Sequence, residues 1–166
     1  MSHSTHPPGF NPIRRDRLQQ EAVHDSYKSK GKLPEPTVCP DCGAVYHSGR
    51  WQWLEKPQAA HSETCPACHR TRDRFPAGHV FLGGPFLAKH EAEVLQLIKH
   101  HETREKAEHP MQRIMDIEKT ERGYQVTTTD IHLARGIGDA LHHAYQGELE
   151  FHYNPEQNLL RVNWHR

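Results

Sequence analysis

The sequence predicts an α+β protein: a small zinc ribbon, a linking helix, and a two-layer domain with a four-stranded antiparallel sheet in the order ββαββ. Three observations predict it. All four cysteines lie in two pairs, Cys39-Pro-Asp-Cys42 and Cys65-Pro-Ala-Cys68. After Gly83-Gly84-Pro85, apolar residues recur at three-and-four spacing, as on one face of a helix. From Pro110 onward, strand-like runs flank turn signals on both sides of a second helical stretch.

Composition sets the frame for each element. A chain of 166 residues suits one compact domain or two very small ones. Only 34% of residues are apolar, 25% are charged, and the mean hydropathy is −0.91, so the core is small for the length. A structural zinc ion would supply what such a core lacks, being worth about 10–16 kcal/mol in finger peptides. Lysine plus arginine equals aspartate plus glutamate at 21 each, which excludes a protein that coats nucleic acid by bulk charge. The basic side chains lean to one end: eleven against eight acidic in residues 1–85, ten against thirteen in 86–166. No apolar run approaches the roughly 20 residues of a membrane span, so the expectation is a soluble, cytoplasmic protein.

Residues 1–36 hold prolines, glycines and the basic side chains Arg14, Arg15 and Arg17, with too few apolar residues to fold alone. They are expected to form a flexible basic arm, either a solvated leader or a segment that lies down on phosphate.

Residues 37–85 are expected to be the zinc ribbon. Two residues separate the cysteines of each pair, so both sulfurs reach one tetrahedral ion from a tight turn, giving Cys39, Cys42, Cys65 and Cys68 as ligands to Zn²⁺. Disulfides would use the same count, but no signal peptide precedes the pairs. A thioredoxin-type motif would leave the second pair unexplained. Gly43 permits the knuckle turn, and Tyr46, Trp51 and Trp53 alternate with polar residues as in a short hairpin. The tryptophans are either the ribbon's miniature core or, with Arg50 beside Trp51, a stacking surface for unpaired bases. Arg70, Arg72 and Arg74 alternate, which on an extended strand aims three guanidinium groups one way, as a solvated edge strand or, the preferred reading, toward phosphate. Four thiolates complete a closed site, so His69 is not counted as a ligand.

Residues 86–108 read as the linking helix, with His100 and His101 pointing apart into solvent rather than onto a metal. In residues 109–166, Met111–Lys119 with Tyr124–Thr129 and Glu148–Tyr153 with Leu159–Asn163 read as two hairpins. Thr129 or Asp130 caps the helix between them, which accounts for that Thr-Asp-x-His stretch without catalysis. The glycines of Arg135-Gly136-Ile-Gly138 point to close packing or a partner's approach. No GxxxxGK[ST] loop is present, so P-loop ATP hydrolysis has no support. On the last strand Leu160, Val162 and Trp164 point one way, and Arg161, Asn163 and His165 the other, toward RNA or protein.

The cysteine pairs, followed by His109-Pro110-Met111-x-Arg113-Ile114, then Thr127-Thr128-Thr129-Asp130-x-His132-Leu133-Ala134-Arg135-x-Ile137-Gly138 and the closing Arg161-Val162-Asn163-Trp164, resemble a bacterial zinc-ribbon family over residues 38–166. More distantly they are similar to the amino-terminal region of the large-subunit ribosomal export adaptor of the nonsense-mediated-decay family. The resemblance implies zinc-dependent association with a ribosome or other structured RNA. The expected function is thus a non-enzymatic RNA-binding protein in translation control, ribosome quality control or hibernation. A protein–protein adaptor is the alternative, and a zinc enzyme is disfavoured because one thiolate would have to yield its place to water.

Overall fold

The structure is a computed structural model that describes Tyr27 and residues 31–166. Arg14, Arg15 and Arg17 lie outside the described residues. The first sheet joins β1 (Thr37–Val38), β2 (Val45–His47), β3 (Arg50–Gln52) and β4 (His61–Ser62) in the order β3-β2-β1-β4. Between β2 and β3, Ser48 and Gly49 both have positive φ, at 52° and 78°, as the right-handed twist of a two-residue hairpin demands. This is the predicted hairpin between the cysteine pairs. Helix α1 (Pro66–Asp73) follows β4.

The second sheet has five strands rather than four, and it is mixed rather than antiparallel. It contains β5 (Gly78–Gly83), β6 (Ile114–Thr120), β7 (Gly123–Thr128), β8 (Glu148–Asn154) and β9 (Leu159–His165) in the order β6-β7-β5-β9-β8. The added strand β5 is central, antiparallel to β7 and parallel to β9. Its residues fall in the stretch expected to belong to the ribbon. In six residues, Val80 and Leu82 point into the core and His79 and Phe81 away, a signal too short to separate from the ribbon's tail by pattern alone. The two predicted hairpins are present as β6–β7 and β8–β9.

Three helices complete the layer. The linking helix is two pieces, α2 (Pro85–Lys89) and α3 (Glu91–Glu108), which meet at His90. Helix α4 (Ile131–Tyr145) starts where predicted: the Asp130 carboxylate accepts the N–H groups of His132 and Leu133 at 2.7 and 3.3 Å. Val94 and Ile98 of α3 and Leu133, Ile137 and Leu141 of α4 share one core with Val80, Val126, Leu149, Leu160, Val162 and Trp164 of the sheet. Gly138 lets α4 lie close on the sheet: a Cβ there would lie 2.7 Å from Val162 Cγ1. Of the two readings of these glycines, close packing or a partner's approach, the contacts within the chain fit the first: a Cβ on Gly136 would lie 2.6 Å from His101 Nε2.

Among the described residues, no helix covers the other sheet face. Register places His79, Phe81, Gln125, Arg161 and Asn163 at its centre, with Asp116 and Glu118 of β6 and Glu148 and Glu150 of β8 along its two edges. The last strand alternates as expected. No described helix is long and apolar enough to cross a membrane.

Candidate metal centre

Two backbone knuckles bring the four sulfurs together. The Cys39 and Gly43 N–H groups close the first turn onto the Ala44 and Cys39 carbonyls at 2.9 Å each, with Gly43 at φ 80°. The second pair opens α1: the Cys65 sulfur caps the helix by accepting the Cys68 N–H at 3.4 Å, and Pro66 sits in its first turn. The sulfurs of Cys39, Cys42, Cys65 and Cys68 all lie within 4.8 Å of one another, and Cys42 and Cys65 are 3.8 Å apart. Zinc–sulfur bonds of about 2.3 Å in a tetrahedron give sulfur–sulfur edges of about 3.8 Å. No pair is bonded as a disulfide; all four cysteines are free. The donor set, the knuckle N–H groups aimed at sulfur and the spacing fit a metal ion, and they are compatible with zinc.

Cysteine spacing points to four residues of this centre; the structure adds a fifth. Arg113, just ahead of β6, directs its guanidinium at the sulfurs: Nη1 donates to Cys68 at 3.3 Å, and Nη2 to Cys42 at 3.1 Å and more distantly to Cys65 at 3.8 Å. Its Nε donates to the Pro110 carbonyl at 2.7 Å, fixing the fork. Thr129, the residue before the α4 cap, binds the same loop three ways. Its hydroxyl accepts the Arg113 N–H and donates to the Met111 carbonyl, and its own N–H donates to the Arg113 carbonyl. Trp53 lies over the guanidinium at 5.6 Å and donates its indole N–H to the Lys106 carbonyl at 2.7 Å. The centre is therefore fastened to α3, β6 and α4. Arg113 stood in a motif quoted above, but a lone arginine 45 residues beyond Cys68 has no spacing signal; only the fold brings it to sulfur.

The electrostatics account for the arginine. Burial holds the Cys65 thiol well above its ordinary range, and the neighbouring sulfurs of Cys42, Cys39 and Cys68 push the same way. Burial also raises Cys68, with the Arg113 hydrogen bond opposing. Cys39 is pushed up by burial too, but backbone hydrogen bonds from Cys65, Cys42 and Asp41 outweigh it and bring it to about 7. Four thiolates cannot share this space without cations. A divalent ion leaves a tetrathiolate centre with two net negative charges, and Arg113 offsets one of them.

The arginines predicted to form a stripe do not. They lie on α1 and its C-cap, where alternate residues point to different sides of the helix. Arg70 turns inward, 2% exposed, donating to the Phe75 carbonyl at 3.0 Å under the Tyr27 ring. Arg72 points back to the first knuckle and binds Asp41 at 2.6 Å. Arg74, at the left-handed C-cap, is exposed. The period-two spacing suited a strand, but the cysteine knuckle starts a helix, and the helix disperses the side chains. Trp51 packs on the cysteines and edge-on to Tyr46 at 5.5 Å, as a miniature core. Arg50 is exposed on β3. Arg50 and Trp51 line one groove of about 510 Å³ between the first sheet and the start of α4, together with Tyr46, Met111 and Asp130. Comparison with protein-family models, curated proteins and solved structures finds no match to the chain.

Proposed function

We propose that this is a non-catalytic, zinc-stabilised RNA-binding protein, cytoplasmic and associated with the ribosome or another structured RNA in translation control, quality control or hibernation. The observation that carries the reading is the groove beside the metal centre, where β3 sets an exposed cation, Arg50, next to the half-buried ring of Trp51. That pairing suits an unpaired base stacked beside its own phosphate. The non-catalytic part is supported by the centre itself: four clustered sulfurs would complete the tetrahedron of a bound ion, and Arg113 hydrogen-bonds to them. Asp130 is likewise committed to capping α4. The similarity to a bacterial zinc-ribbon family points the same way.

The test is binding of a fluorescently labelled ribosomal RNA fragment by anisotropy, with the exposed residues changed as Arg50→Glu and Arg74→Glu. The double variant should bind at least tenfold more weakly, and wild-type affinity should fall steeply with salt. Unaltered binding by the variant, or no binding by the wild type, would remove the reading. A protein adaptor is favoured by one observation, the exposure of Leu54 and Phe75 at 45% and 52%. It requires a partner whose capture is insensitive to salt.

A further inference from the structure

Helices α3 and α4 pack side by side, and their outer surfaces form a cleft of about 820 Å³ that no motif identified. Its floor is small side chains of α4: Gly136, Ala140 and Ala144. Gly136 has a reason to lack a Cβ, which would lie 2.6 Å from the His101 Nε2. The imidazole therefore rests on the α4 backbone rather than in solvent, which corrects the expectation that His101 simply faces water. Burial lowers its pKa, with Glu105 opposing, so near neutrality it contributes as a hydrogen-bonding ring.

The walls are cationic or imidazole. Arg104 reaches into the cleft from α3 and Arg135 from α4, and His100 and His143 add two exposed rings. The one acidic side chain in the lining is Asp139, whose carboxylate lies 3.7 Å from Arg135 Nε. That Nε is buried and has no hydrogen bond among the described residues. None of the described ion pairs involves Arg104. His101 covers Gly136, and beside it two guanidinium groups flank the small side chains of Ala140 and Ala144, which leaves room for a ligand that brings negative charge and several acceptors. The open sheet face makes the opposite case, since its edges are lined by four carboxylates.

We propose that the α3–α4 cleft binds the phosphodiester backbone of the RNA, with Arg104 and Arg135 as the phosphate contacts and the histidines as additional donors. This rests on the RNA-binding reading and adds a second contact surface, built from helices rather than the ribbon. Charge complementarity selects the occupant: planar guanidinium forks match phosphate oxygens, and the small-residue floor admits a backbone without asking for a particular base.

The test uses the full chain with zinc and a labelled single-stranded RNA, titrated at several salt concentrations. Arg104→Ala removes an exposed cation. Ala140→Glu leaves every cation in place and sets a carboxylate on the floor. Each should weaken binding about five- to tenfold at physiological salt, and Arg104→Ala should flatten the salt slope by about 0.7, the value of one phosphate contact on a single strand. Melting temperature, read alongside, separates weakened binding from misfolding. If Arg50→Glu weakens binding while both cleft variants match wild type in affinity and slope, the cleft is not a contact and the ribbon reading stands. If wild type binds no RNA, both are overturned.

Discussion

Replacing Arg113 with methionine keeps most of the aliphatic stem and removes the guanidinium that touches the metal ligands. Two hydrogen bonds of good length are lost, at 3.3 Å to Cys68 and 3.1 Å to Cys42. Hydrogen bonds to charged groups are worth about 1.5–3 kcal/mol each. The two are not independent, because they leave one group and act on sulfurs that share one ion. Arg113 is also only partly buried, so water screens some of the interaction. A net loss of about 2 kcal/mol follows, within the 10- to 100-fold loss of metal affinity usual when a residue holding a ligand is removed. Arg113→Lys should fall between, since one ammonium cannot span two sulfurs as a planar fork does. The measurement is competition for zinc against a chromophoric chelator at fixed pH, with tryptophan fluorescence read in parallel because Trp53 lies on the guanidinium. Zinc affinity in Arg113→Met within twofold of wild type would refute the reasoning, since the contacts would then be geometry without energy.

Removing the metal should abolish the near-ultraviolet signal of Trp51 but leave a cooperative unfolding transition, because the cysteine cluster and the main core share no buried residue; circular dichroism with a strong chelator checks this, and loss of all secondary structure would contradict it. In the metal-free protein, raised thiols at Cys65 and Cys68 favour the folded state below the ordinary thiol pKa of 9.0 and cease to do so above it. Cys39, lowered to about 7, acts in the opposite sense between 7 and 9. Urea midpoints of apoprotein should therefore fall as pH rises past 9, whereas zinc-loaded protein, whose sulfurs are already thiolate, should show little change. Arg70→Glu should destabilise the protein by about 3–5 kcal/mol by putting an unpaired carboxylate in a buried site, while Arg74→Glu should leave the melting temperature within a degree or two. Gly138→Ala should cost about 1–3 kcal/mol in thermal unfolding despite alanine's better helix propensity, because its methyl meets Val162 and Leu149.

Much of the molecule is legible from local pattern. The cysteine spacing by itself locates the four sulfurs that cluster as a candidate metal site, since two intervening residues are what a metal knuckle requires. Asp130 before an amphipathic run fixes where α4 begins, and turn residues bracket the β6–β7 and β8–β9 hairpins. Each of these depends on residues close together in the chain, where covalent geometry and hydrogen bonding limit the outcome.

Tertiary structure decided the rest. Strand β5 is central, but its neighbours lie 40 to 50 residues (β7) and 82 residues (β9) later in the chain, and no short window records that pairing. Arg70, Arg72 and Arg74 share a residue type but not an environment: the helix begun by Cys65 sends one into the core, one to Asp41 and one to solvent. Arg113 reaches the sulfurs, and Arg104 and Arg135 come to line one cleft, only after the helices have packed on the sheet. Charges and close contacts of this kind act through space over a few ångströms, at sequence separations where chain order carries no record of distance.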